Sequence, residues 1–129
     1  MKVKILNLEK KTDDRGWLAE LLHSKDLEHK EFGQLLVTVA KPGITKGGHY
    51  HLRKEEWFVV VAGNGELKLK DNQTSEEKII LMGEENMVAV QIPLNVSHWI
   101  TNSGEKDLTL IAYCNEEFNP NDTDTFVAP

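Results

Sequence analysis

A chain of 129 residues, 40% of them hydrophobic, is sized for one domain with a full core. Its net charge of −6 argues against nucleic acid or an anionic membrane as the main partner. One cysteine, Cys114, excludes an internal disulfide and reads as a core filler in a reducing, cytoplasmic compartment.

No signal-peptide pattern opens the chain, and the longest apolar run, 57–62, is far too short to span a bilayer. Strands are expected over 3–8, 16–22, 35–40, 48–51, 55–62, 66–70, 78–81, 87–92, 96–100 and 108–113. Ser24 is a reasonable N-cap for the one expected helix, 24–32. Gly63-Asn64-Gly65 signals a tight hairpin; 71–75 and 102–105 are looser turns. If Glu56 points inward, so do Phe58, Val60 and Ala62, while Trp57, Val59 and Val61 make the outer face apolar as well. Such a strand is covered on both sides, by the chain's other sheet or by a second subunit. A homodimer is therefore expected. Many short strands with turn signals between them read as an all-β sandwich or barrel, a single domain over 1–129.

The chemistry sits in two blocks. The first runs from Gly43 through Gly47-Gly48-His49-Tyr50-His51 to Glu56 and Gly63. On a strand His49 and His51 share a face, with Tyr50 opposite. Leu52-Arg53-Lys54 turns the chain so that Glu56 returns beside them. The second block, Pro93-Leu-Asn95-Val-Ser-His98-Trp-Ile-Thr-Asn102, brings His98 from another strand. Three imidazoles and a carboxylate facing one cavity form a ligand set for a divalent metal, zinc first, with iron, nickel, manganese or copper open to the same donors.

Other residues carry two readings. Arg15 and Glu20, in Asp13-Asp-Arg-Gly-Trp-Leu-Ala-Glu20, either face a polar ligand at the barrel mouth or form a turn with a surface ion pair. Lys46, in a glycine-rich loop, is placed to meet a phosphate or a developing oxyanion, whereas Lys41 reads as solvated. Tyr113 is a candidate acid, and Tyr50 faces away from the histidines. The acidic tail 115–125 lacks the Gly and closing Glu of a calcium loop and reads as an ordered loop closing one barrel end. His23 and His29 are expected at the surface.

The first block resembles the first cupin motif in every spacing, and the second resembles the second motif with Asn95 in the place of the usual Gly. The resemblance implies a cupin jelly roll of the RmlC-like kind. The loop 41–51, the Pro93…His98 block and the tail are similar to the C-terminal cupin domain of CapF-type capsule enzymes. The Asp13-x-Arg15-Gly16…Glu20 block is shared with these and with RmlC-type dTDP-sugar 3,5-epimerases. In CapF-type enzymes this domain epimerises a UDP-4-keto sugar at C3, and a separate domain then reduces the ketone. No Gly-x-Gly-x-x-Gly fingerprint occurs here, so no NAD(P) is expected and a separate reductase is implied as partner. The implied reaction removes a proton next to a ketone of a UDP- or dTDP-linked 4-keto sugar. Arg15 and Lys46 would hold the pyrophosphate, and Glu20, Lys46 and Tyr113 are candidates for proton transfer. RmlC-type enzymes use a base histidine that aligns with His49, a role incompatible with metal ligation through the same nitrogen. A metal-dependent dioxygenase and a non-catalytic sugar-binding cupin are the rival readings.

Overall fold

The computed structural model describes all 129 residues. The strands are β1 (Ile5–Asn7), β2 (Lys11–Asp13), β3 (Gly16–Leu18), β4 (Gln34–Ala40), β5 (Thr45–Tyr50), β6 (Glu56–Ala62) and β7 (Asn64–Asp71). They continue with β8 (Glu77–Gly83), β9 (Val88–Ile92), β10 (Val96–Asn102), β11 (Leu108–Cys114) and β12 (Phe126–Val127). One five-stranded sheet runs β1-β9-β6-β11-β4 and faces a second, β12-β5-β10-β7-β8. The hairpin β2–β3 forms a separate two-stranded sheet. This is the expected all-β jelly roll.

The alternation predicted along β6 explains the core. Phe58 and Val60 point between the sheets and pack with Leu67, Leu69, Val90, Ile100 and Leu110. Trp57 and Val59 point the other way and are equally sealed, at 0% and 2% exposed. Their cover is the chain's own N-terminal region: Leu6, Leu8, Leu21, Leu22 and Leu27 lie on this outer cluster. Burying a side chain such as Trp57 contributes about 2–3 kcal/mol, so this segment is an integral layer of the fold. The outer face of β6 therefore needs no second subunit to cover it.

Several expectations about elements change. Gly63-Asn64-Gly65 does not close a hairpin: β6 pairs with β9 and β11 in one sheet, and the chain crosses at Gly63 so that β7 pairs with β8 and β10 in the other. The helix over 24–32 is a single 3-10 turn, Ser24–Asp26. The backbone N–H groups of Glu28 and His29 donate to the Glu55 carboxylate at 2.9 and 2.8 Å, which takes them away from any helix. The strand over 16–22 stops at Leu18, because Leu21 and Leu22 turn onto the Trp57 cluster. The tail contributes a strand that was not anticipated, with Phe126 opposite Tyr50 and Val127 opposite His49.

Two backbone positions shape the site. Gly47 has φ of +104°, and a Cβ there would stand 2.7 Å from the His98 carbonyl oxygen. The β5–β10 ladder shifts register between His98 and Trp99, opposite this close approach. Asn95 has φ of +58°, a left-handed conformation that asparagine tolerates, which accounts for Asn where the motif usually has Gly.

Candidate functional site

His49 lies near the end of β5, His51 is the first residue beyond it, and His98 is central in β10, directly opposite His49 in the ladder. Their candidate ligand nitrogens all lie within 4.8 Å of one another. Glu56, the first residue of β6, places Oε1 3.2 Å from His51 Nε2 and 3.4 Å from His98 Nε2. The cluster opens into a cavity of about 240 Å³, whose wall includes Leu36, Thr38, Lys46, Phe58 and Leu110.

Hydrogen bonding decides which way the imidazoles present their electron pairs. His51 Nδ1 lies 2.7 Å from the Asp124 carbonyl, and His98 Nδ1 lies 3.1 Å from the Val96 carbonyl. A carbonyl only accepts, so both Nδ1 atoms carry the proton and both Nε2 lone pairs turn toward Glu56. Lone pairs facing a carboxylate repel unless a proton or a cation stands between them. His98 Nε2 is the one buried side-chain nitrogen or oxygen in the chain without a hydrogen-bond partner. Native interiors rarely leave such an atom unused.

Burial, followed by the neighbouring His98 and His51, pushes the His49 pKa down to about 4, so its ring is neutral near pH 7. Burial alone would raise the Glu56 carboxyl, but the contacts with His51 and His98 prevail and bring it to about 2. Burial opposes protonation of His51, yet the bond and charge of Glu56, aided by the Asp124 carbonyl, leave its pKa raised. The result is an ionised carboxylate with three imidazoles beside it, a donor set that fits a divalent cation.

The remaining candidates separate sharply. Lys46 lines the cavity, with Nζ 2.7 Å from Thr38 Oγ1. Tyr113 does not line it. Leu110 and Ala112 face the cavity, so alternation sends Tyr113 to the outer face, where its hydroxyl donates to the Glu31 carbonyl. Glu20 lines a different cleft with Leu6 and Lys25, and its Oε1 lies 3.5 Å from His23. Arg15 is 87% exposed on the β2–β3 hairpin and pairs with Asp13 at 2.6 Å. Tyr50 stacks on Phe126 with ring centroids 5.4 Å apart, away from the histidines.

Asp124 was missed. Its carboxylate accepts the backbone N–H groups of Leu52, Arg53 and Lys54 at 2.9–3.1 Å, so it ties down the turn between His51 and Glu56. Its own carbonyl orients His51. No spacing rule links positions 51 and 124, although the tail was expected to close the barrel.

No helix is long and apolar enough to cross a membrane. Residues 11–126 match the family profile of the polysaccharide biosynthesis C-terminal domain. The spore coat polysaccharide biosynthesis protein SpsL of Bacillus subtilis is 32% identical over 127 residues, covering 95% of this chain and 84% of SpsL. The capsular polysaccharide assembling protein CapF of Staphylococcus aureus is 35% identical with a TM-score of 0.73, covering 94% of this chain. The chain spans only 34% of that CapF structure. The dTDP-6-deoxy-D-glucose-3,5-epimerase RmlC of Legionella pneumophila shares the fold at a TM-score of 0.78 and 18% identity, over 92% of this chain and 69% of RmlC. The two motif blocks, the two facing sheets and these likenesses agree: the chain is a cupin that belongs to the polysaccharide biosynthesis C-terminal domain family.

Proposed function

We propose that this protein is a metal-containing epimerase or ketoisomerase acting on a nucleotide-linked 4-keto sugar in polysaccharide biosynthesis. The observation that carries the reading is the orphaned, buried His98 Nε2 aimed with His51 Nε2 at the Glu56 carboxylate. The family and the likeness to SpsL and CapF support the sugar context.

Removing a proton next to a ketone needs a proton acceptor and a positive partner for the charge that develops on oxygen. His49, His51, Glu56 and His98 would hold a divalent cation, zinc by donor type, which supplies Lewis acidity. Lys46 is the only one of the three proton-transfer candidates on the cavity wall, so it takes that role, with Thr38 fixing its amine. Phe58, Leu36 and Leu110 keep this side of the cavity apolar and strengthen charge interactions inside it. Reduction of the ketone is left to a separate protein.

The oligomer that fits is a homodimer. β4 is an edge strand whose outer row, Leu35, Val37 and Val39, is 60, 64 and 44% exposed. The hairpin β2–β3 pairs with nothing else in its own chain and exposes Trp17 and Leu18. A lone hairpin is marginal in water, and a bare apolar edge is a liability. A second copy laying its hairpin along β4 satisfies both and carries Arg15 toward the cavity that Leu36 and Thr38 line.

The test is incubation with UDP- and dTDP-4-keto sugars in deuterated water, followed by mass spectrometry. Deuterium entering at carbon, with stoichiometric metal in the purified protein, is the expected result. Tight sugar binding with no exchange would defeat it, as would oxygen uptake coupled to turnover.

A further inference from the structure

The largest cleft in the chain is not the histidine cavity. It measures about 670 Å³, shares no lining residue with that cavity, and is walled by Lys2, Lys4, His29, Lys54 and Gln91, among others. Lys54 is its most unusual member. It is 6% exposed, and its one bond is a backbone N–H donated to Asp124. Its ammonium takes part in no hydrogen bond and has no carboxylate within 4.0 Å. Its stem is buried while its ammonium keeps contact with solvent, since the one buried side-chain nitrogen without a partner is His98 Nε2; the packed stem holds that ammonium in place at the cleft wall.

The nearby acids do not pair with it. The Glu55 carboxylate already accepts three N–H groups, from Glu28, His29 and the Trp57 indole. Arg53 is turned to Glu116 and Asp122. The Lys4 ammonium reaches only a neutral acceptor, the Asp26 carbonyl at 3.3 Å. A chain of net charge −6 thus sets four cationic side chains, Lys2, Lys4, Arg53 and Lys54, against the two carboxylates, Glu28 and Glu55, that line the same recess. Only two of its eleven lining residues are hydrophobic, which disfavours an apolar ligand. Ammonium groups act as point charges and suit a compact anion approached from several sides.

We infer that this cleft is a second site, which binds a phosphate group through Lys54 with help from Lys2 and Lys4. Its lining is separate from that of the histidine cavity, although Lys54 sits in the turn between His51 and Glu56 and its charge acts on His49 and His51. The experiment is titration of the whole protein with inorganic phosphate, and separately with glucose 1-phosphate, at constant ionic strength, read by calorimetry and thermal midpoint. Saturable binding that Lys54→Met weakens about tenfold or more and Lys46→Gln leaves alone is the expected result. The double variant Lys2→Gln/Lys4→Gln, at exposed positions ahead of β1, weakens binding without touching a buried position. Tighter binding of glucose 1-phosphate supports the site and names a phosphomonoester as its ligand. Tighter binding of inorganic phosphate supports it and names free phosphate. No binding, binding that survives both Lys54→Met and the double variant, or binding lost equally in Lys46→Gln overturns it.

Discussion

His49 and His98 stand directly across the β5–β10 ladder with ring centroids 4.7 Å apart, and Gly47 makes that approach feasible. Gly47→Ala sets a methyl against the His98 carbonyl in a left-handed conformation. It is expected to cost about 1–3 kcal/mol of stability, measured by denaturant unfolding. It should also lower metal affinity, because the strands must part.

His51→Ala and Glu56→Ala are each expected to lower metal affinity by about 100-fold or more, since even outer partners of metal ligands are worth about 10–100-fold. Elemental analysis after dialysis reads the loss, and far-UV circular dichroism should still report the barrel. Full metal occupancy in both variants would strike these residues from the donor set.

Lys46→Met should slow deuterium exchange by about 100-fold or more, the usual scale for a positioned acid or base. Tyr113→Phe should leave exchange rates alone and cost about 1 kcal/mol of stability through its lost bond to the Glu31 carbonyl. A slow Tyr113→Phe enzyme would return Tyr113 to the site.

Asp124 predicts an acid limb in stability. Burial raises its carboxyl, but the N–H donors of Lys54, Leu52 and Arg53, with the Arg53 charge, prevail and hold it below 3.8. A carboxylate favoured by the fold contributes fully above pH of about 4, and that contribution is lost as pH falls through its lowered native value. Asp124→Asn should cost about 2 kcal/mol at neutral pH and flatten this limb in urea titrations from pH 7 to pH 3.

Val37→Asp puts a charge in the middle of the exposed β4 row. Sedimentation velocity should show the wild-type chain as a dimer and this variant as a monomer. Arg15→Ala should weaken nucleotide-sugar binding about tenfold while leaving metal content unchanged. A wild-type monomer would remove the route by which Arg15 reaches the cavity.

Much of this was legible in the chain because it is local. Strand alternation orients His49, His51, Glu56, Phe58 and Val60, and alternation is a short-range property. The same rule read along β11 would have sent Tyr113 outward, since Leu110 and Ala112 occupy the inner face. What resisted reading is tertiary. The helix over 24–32 fails because Glu55, distant in sequence, takes the amide protons of Glu28 and His29. The cover over Trp57 comes from leucines at positions 6 to 27, and no local pattern says which surface they seek. Arg15 and Glu20 belong to a recognisable block, yet where a hairpin lies depends on contacts that the block does not encode.

His51 takes its orientation from a carbonyl 73 positions later, and β5 gains its outer neighbour only from Phe126–Val127. During synthesis, the ribosome releases the paired histidines long before it releases the segment that aims one of them. On the proposed reading, ion capture would therefore be a late event, completed after residues beyond 124 have cleared the exit tunnel. A nascent barrel would then be spared premature loading with whichever cation is most abundant.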